Sequence, residues 1–425
     1  MRNQKMFKSI ALVSGFDGAI KILAFCLLPF YLFWMPKEDF GEFGYIFSAA
    51  GLLVPIVTLN LYISIIKDLS GSYDKAHKKE VLTTILWAVL FFVCVFIGIC
   101  IVLETYFGLF GTIFNLDNNK NEKLFIVAII ILASSFNLIL YSFLMSFKKP
   151  ILVIQYNFLK FFCVNLCAVG FVYIGLGLLD TSFDRLVGIA LGEVLCLVVT
   201  FYGCSKYFGS TINFSYLKRA VNLSLPLIPG AIAMIFSTLS DRYFLVQNFG
   251  ASAVAEYNLA LQFLIPMQMI MVGAQTAWAP HVFSIKKEAS AYRASVDFAI
   301  KISTLLILIV ILMAVCIYIA RMVGLIPKYY IDTLWLFLAL SIVTVEIILF
   351  QIPNNLLIKF GKTHWISAIL IPSAAFTILG GYFFVSKYGY FMGALNGGVI
   401  YGLALLVGWI LVWKALAEEI NEVKG

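Results

Sequence analysis

Charge is what this sequence has least of. Asp, Glu, Lys and Arg make up 12% of its 425 residues, about half the share expected of a soluble globular domain. That scarcity excludes a soluble fold and, with it, a nucleic-acid partner. Long polar loops are missing as well: the largest interruption between apolar runs lies between Leu103 and Leu124, too short for a folded catalytic domain. Only three histidines occur, His77, His281 and His364, all at expected loops or helix ends. Neither a nucleophile–base constellation nor a glycine-rich phosphate loop can be assembled from what remains, so no cofactor is expected. The opening MRNQKMFKS runs into an apolar stretch too long for a signal-peptide core, which predicts a first anchor rather than a cleaved leader.

What is abundant is apolar chain, at 62% of residues with a mean hydropathy of +0.99. A membrane-crossing helix needs about 20 such residues, which leaves room for about a dozen. Breaking the sequence at charged, Asn/Asp and Gly/Pro clusters predicts an all-α integral membrane protein with twelve spans. They cover about 8–34, 43–66, 81–103, 124–146, 151–178 and 186–206, then 220–248, 255–280, 295–320, 332–353, 365–385 and 390–413. Cytoplasmic loops retain Lys and Arg during insertion. With the N-terminus inside, 19 of the 30 Lys and Arg residues fall on the cytoplasmic side, 7 on the other and 4 within spans. One span more or fewer would reverse every later loop and cancel this bias. Both termini are therefore expected in the cytoplasm.

A repeat is visible too. FGEFGYIF (40–47) opens the second span and VAEYNLAL (254–261) the eighth, with Glu42 and Glu256 at an offset of 214. Six spans per half leave both halves in the same orientation, a known transporter plan in which substrate is handled between the halves. The expected division is an N-lobe, 1–212, and a C-lobe, 213–425.

All eight cysteines fall in spans, where they act as small apolar packing residues. Cys163 and Cys167 share a helix face, but no His or carboxylate accompanies them at ligand spacing, so no metal is expected. Ionisable residues inside spans cost roughly 2.5 to 3.5 kcal/mol each at the membrane centre, and they normally face a bundle interior or a wet cavity. Asp17 and Lys21, at i and i+4 in the first span, either neutralise each other or serve a function. Asp241 and Arg242 are adjacent in the seventh span, so they point about 100° apart and each needs a partner elsewhere. Lys160 either faces a cavity or snorkels. Asp297 and Lys301 repeat the i, i+4 pairing at the start of the ninth span. Glu193 and Glu346 have no cation nearby on their own helix, and each is either an ion-coupling carboxylate or a satisfied interhelical group. Pro29, Pro55, Pro226, Pro229 and Pro266 remove backbone donors and permit kinks.

Two segments carry a resemblance. LLPFYLFWMPKEDFGEFGYIFSAAGLL (27–53) and LSLPLIPGAIAMIFSTLSDRYFLVQNFGASAVAEYNLALQF (223–263) resemble the first-to-second-span and seventh-to-eighth-span signatures of the polysaccharide biosynthesis branch of the multidrug/oligosaccharidyl-lipid/polysaccharide exporter superfamily. The resemblance implies a multidrug-and-toxin-exporter-like fold with a V-shaped opening between lobes. It also implies flipping of O-antigen or capsular repeat units, linked to undecaprenyl pyrophosphate, across a bacterial inner membrane by H⁺- or Na⁺-coupled alternating access. A pyrophosphate in a low-dielectric cavity needs cations, and Lys21, Lys160, Arg242 and Lys301 are the expected substrate-binding set. Asp17, Glu193, Asp241, Asp297 and Glu346 are the expected charge partners or coupling groups. Membrane lipid surrounds such a protein, and polymerase and glycosyltransferase neighbours belong to such a pathway. The rival readings are a cation-coupled drug or metabolite antiporter of the same fold and a membrane polymerase or ligase. The first should favour a carboxylate-lined cavity, and the second needs a larger outer loop.

Overall fold

The structure is a computed structural model that describes residues 16, 18–69, 75–114, 120–147, 149–175, 180–209, 211–225 and 228–422. These residues are nearly all helical and contain no strand. In an apolar solvent every backbone N–H and C=O must be satisfied within its own segment, and the helix achieves this. Nine helices among the described residues are long and apolar enough to cross a membrane, as expected of a multi-pass membrane protein. The chain forms two compact units, Met1–Ile235 and Phe236–Gly425.

The first unit contains α1 (Gly18–Trp34), which turns at Leu27 with Pro29 in the first turn beyond it. Next come α2 (Lys37–Val57), α3 (Tyr62–Leu69), α4 (Lys75–Phe107), α5 (Leu109–Phe114), α6 (Lys120–Ser146), α7 (Pro150–Ile174), α8 (Thr181–Cys204) and α9 (Phe214–Ser224). The second expected span is broken. Pro55 lies near the end of α2, and Leu59 and Asn60 follow with φ of 48° and 53°, a left-handed region that side chains beyond Gly seldom adopt. The Thr58 hydroxyl lies within reach of the Val54 (2.9 Å) and Pro55 (3.2 Å) carbonyls, which also accept the Thr58 and Asn60 N–H groups (3.0 and 2.9 Å).

α10 (Ile228–Phe249) contains the unit boundary, with Pro229 as its second residue. The second unit continues with α11 (Ala251–Gln262), α12 (Ile265–Ser284), α13 (Glu288–Met322), α14 (Thr333–Lys359), α15 (Thr363–Gly380) and α16 (Tyr390–Glu422). The eighth expected span is thus two helices around a turn, with Pro266 in the first turn of α12. α15 runs on through a π-helical turn, Gly381–Val385. The seventh expected span begins later than its apolar run does, because 214–224 forms α9, held on the first unit. Asn213 N–H donates to Thr84 Oγ1 (2.9 Å), and Ser224 Oγ donates to Asn60 O (3.3 Å). Residues 213–235 cluster with the first unit.

Packing is densest between α7 and α8 in the first unit and between α14 and α16 in the second. The α7–α8 seam is close because α8 presents glycines. A Cβ at Gly188 would lie 2.6 Å from the Ala168 Cα, and one at Gly192 would lie 2.5 Å from the Cys163 carbonyl and the Val164 Cα. Small residues that let backbones approach are the usual currency of membrane helix packing.

Candidate functional site

In the first unit α1, α2, α6, α7 and α8 surround a cavity of about 620 Å³. Its apolar wall includes Phe47, Val54 and Phe161, and its polar groups are Lys21, Ser134, Tyr141, Tyr156, Asn157, Lys160, Asn165 and Glu193. The close seam of α7 and α8 brings Lys160 Nζ to 3.0 Å from Glu193 Oε1. Glu193 is deeply buried while Lys160 is about one-third exposed (6% and 36% of the side chains), so the ammonium, rather than the carboxylate, meets the open space. Asn137 on α6 fixes the carboxylate from the other side, donating from Nδ2 to Glu193 Oε2 (2.6 Å) and to the Glu193 carbonyl (3.0 Å). Tyr156 in turn donates to the Asn137 carbonyl (3.2 Å). Glu193 thus keeps hydrogen-bond donors even if Lys160 turns toward a ligand, which makes exchange of the ammonium between carboxylate and anion physically feasible.

Of the four cations expected to bind substrate, Lys21 and Lys160 line this cavity. Arg242 is buried in the second unit, where its Nε donates to Asn258 Oδ1 (2.9 Å). Lys301 is exposed and pairs with Asp297 (2.7 Å) on its own helix. Of the expected charge partners, Glu193 is in the cavity and Asp17 lies outside the described residues. Asp241 is buried, accepts from the Tyr257 hydroxyl (3.0 Å) and abuts Gly393 of α16. Asp241 and Arg242 thus take different partners on α11, as their adjacent positions require. Glu346 on α14 faces glycines of α16, with its Oε1 2.9 Å from where a Cβ on Gly402 would stand. Its Oε2 is buried with no hydrogen-bond partner among the described residues.

Sequence reasoning passed over Asn137, although an amide inside an apolar run is the same kind of signal as a charge. Lys123 and Arg185 fall just before the expected fourth and sixth spans, 124–146 and 186–206, among the 7 cations counted on the other side. Lys123 bridges Glu42 (2.6 Å) and Asp180 (2.8 Å), and the Ser182 hydroxyl lies 2.7 Å from an oxygen of each carboxylate, its one proton serving either. Asp180 also caps α8 through the Phe183 N–H (2.7 Å). Burial alone would raise the Asp180 pKa, yet the Lys123 ammonium, the Ser182 hydroxyl and that N–H hold it below the ordinary carboxylate value. The Arg185 guanidinium lies 3.5 Å over the Tyr31 ring and 3.8 Å over Phe43, an arrangement in which aromatic faces stand in for a counter-ion.

The fold has solved relatives. The inward closed conformation of a lipid II flippase, MurJ, superposes with a TM-score of 0.74 at 14% identity, covering 96% of this chain and 89% of that one. An outward-facing MATE multidrug-resistance transporter of the MOP superfamily gives 0.65 at 11% identity over 96% and 95%. A MOP superfamily transporter from Pyrococcus furiosus gives 0.61 at 11% identity over 96% and 95%. By name these are a flippase and transporters rather than enzymes. No curated protein sequence matches the chain. The family model described as "Polysaccharide biosynthesis protein" matches residues 6–286, two-thirds of the sequence and both segments that carry the resemblance, and the chain belongs to that family.

Proposed function

We propose that this protein flips undecaprenyl-pyrophosphate-linked oligosaccharide repeat units, of an O-antigen or capsule, across a bacterial inner membrane with both termini cytoplasmic. The observation that carries the reading is the first-unit cavity, where two ammonium groups, Lys21 and Lys160, meet a polar, aromatic lining. A pyrophosphate leaving water needs charge-assisted donors. Lys160 can supply them by turning from Glu193, which Asn137 keeps satisfied. The tyrosines and asparagines of the lining suit sugar hydroxyls and ring faces, while the lipid tail stays in the bilayer. That MurJ is named a lipid II flippase supports a lipid-linked cargo.

Glu346 is the favoured coupling group. A carboxylate with an oxygen buried beside two glycines, without a hydrogen-bond partner among the described residues, has an oxygen open to H⁺ or Na⁺. Arg242, Lys301, Asp241 and Asp297 are retained as supporting charges whose partners can change as the lobes rock. Complementation of a flippase-deletion strain is the test. Lys21→Ala and Lys160→Ala are each expected to abolish surface polysaccharide while the protein remains inserted at wild-type level. Normal polymer from both variants overturns the anionic-cargo reading. A Na⁺- or pH-dependent rate that survives Glu346→Gln removes Glu346 as the coupler.

A further inference from the structure

Helix α9, FSYLKRAVNLS, has three faces rather than two. At about 100° per residue, Tyr216, Ala220 and Ser224 form one stripe, and all three are buried. This stripe is pinned to the first unit. Asn213 caps the helix through the Tyr216 N–H (2.8 Å) and donates to Glu80 (2.9 Å), the Tyr216 hydroxyl reaches Ser64 (3.5 Å), and Ser224 reaches the Asn60 carbonyl (3.3 Å). Beside the stripe, on one flank, come Leu217 and Val221, half-buried, and then Phe214 and Leu225, 74% and 53% exposed. The other flank carries Ser215, Arg219 and Asn222, all exposed. Lys218, also exposed, sits on the border between the apolar and polar sectors.

We propose that α9 lies in the headgroup layer and binds anionic phospholipid, with Phe214 and Leu225 entering the acyl boundary and Lys218 and Arg219 holding the lipid phosphate. A helix with buried, apolar and cationic sectors side by side fits one environment best, the plane where hydrocarbon meets phosphate. Water alone leaves Phe214 and Leu225 without a reason to be exposed, and hydrocarbon alone leaves Lys218 and Arg219 without a counter-charge. The neighbouring chain follows the same pattern, with Tyr202 81% exposed and Lys206 exposed just before α9. The excess of Lys and Arg in the segments expected on the cytoplasmic side matches the negative surface of that leaflet. α9 is also the last helix before the one that contains the boundary at Ile235, so lipid composition is read beside the connection of the two units. The proposal does not depend on the nature of the cargo.

The test uses the full-length protein in phosphatidylcholine vesicles with and without phosphatidylglycerol. Phe214→Trp adds one indole to the seven native tryptophans, and the difference signal is expected to be quenched by lipids brominated near the headgroup and protected from aqueous iodide. Iodide quenching places the flank in water, and protection from both quenchers places it under protein; either result overturns the proposal. In the second arm, phosphatidylglycerol retained on the purified protein is compared by native mass spectrometry. Lys218→Gln with Arg219→Gln should weaken retention about fivefold per cation removed, whereas Lys286→Gln with Lys287→Gln, an exposed basic pair elsewhere, should leave it unchanged. Undiminished retention in the α9 variant, or equal loss in both, overturns the proposal.

Discussion

The two units apply one plan with opposite electrostatics. In each, a glutamate at the start of the second span of the half is tied to the start of the fourth. Glu42 accepts from Lys123 of α6, and Glu256 accepts from the Thr333 hydroxyl at the start of α14 (2.8 Å). The fourth span is tied in turn to the sixth, by Lys123 and Asp180 in the first unit and by Asp332 and the Tyr390 hydroxyl in the second. About 20 Å further along, Asn137 of α6 meets a carboxylate on α8, whereas α14 carries the carboxylate itself, Glu346, and meets glycine on α16. The carboxylate has changed helix between the units, and its cation, Lys160, belongs to the first unit. Glu193 is bonded on both oxygens, to Lys160 and Asn137, while Glu346 has one buried oxygen without a partner among the described residues. On the proposed function, the first unit holds the ligand and the second the coupling cation.

The largest contrast concerns the glycines behind these carboxylates. Gly192→Leu drives a side chain into the backbone of α7, and no monodisperse protein should be recovered by size-exclusion chromatography. Gly402→Ala meets only the movable end of Glu346 and should give a folded protein. If both variants fold, the backbone seam is not what organises the first unit.

Next come the carboxylates themselves. Glu193→Gln leaves Lys160 without a counter-ion. Removing one member of a buried pair costs about 3 to 5 kcal/mol, reduced here to about 1 to 3 because Lys160 is partly exposed, so the melting temperature should fall by several degrees. Glu346→Gln replaces a carboxylate whose buried Oε2 has no hydrogen-bond partner among the described residues and should raise it. Shifts of the same sign in both variants would break the comparison.

At the starts of these helices, Lys123→Met separates two carboxylates from their shared cation and should destabilise more than Tyr390→Phe, which loses one hydrogen bond of about 1 kcal/mol. Paired thermal melts decide the order. The smallest effect is on pH dependence. The folded-state pKa of Asp180 is depressed, so its contribution is complete above the unfolded value near 4 and is lost as pH falls through the lower folded value. Acid destabilisation below about pH 4 should therefore be weaker in Asp180→Asn than in the wild type, and an unchanged acid limb would remove Asp180 from the account.

Much of this was legible in the sequence. Apolar run length located the helices, and the offset of Glu42 and Glu256 marked a repeat, though not that each carboxylate ties the second span of its half to the fourth. The charges of Lys160 and Glu193 were each visible, but their pairing was not, because it depends on how α7 and α8 are rotated, and Gly188 and Gly192 set that rotation. Lys123 and Arg185 fall just outside the expected spans because hydropathy weighs a cation as a span end, whether or not carboxylates or aromatic rings later enclose it. At the break at Leu59 and Asn60 the sequence shows Pro55 and Asn60, which announce a kink but not the left-handed turn that splits the span in two. The start of α10 was misjudged for the converse reason, since α9 is apolar enough on two faces to read as part of a span.

The α7–α8 seam has a bearing on how a long hydrocarbon could remain attached to a headgroup inside the first-unit cavity. Backbones that meet at Gly188 and Gly192 leave no slit between those helices, so this wall is sealed. α1 supplies Ile20, Lys21 and Ala24 to another side of the lining. On the proposed function, a tail tethered to a headgroup in this cavity cannot leave between α7 and α8.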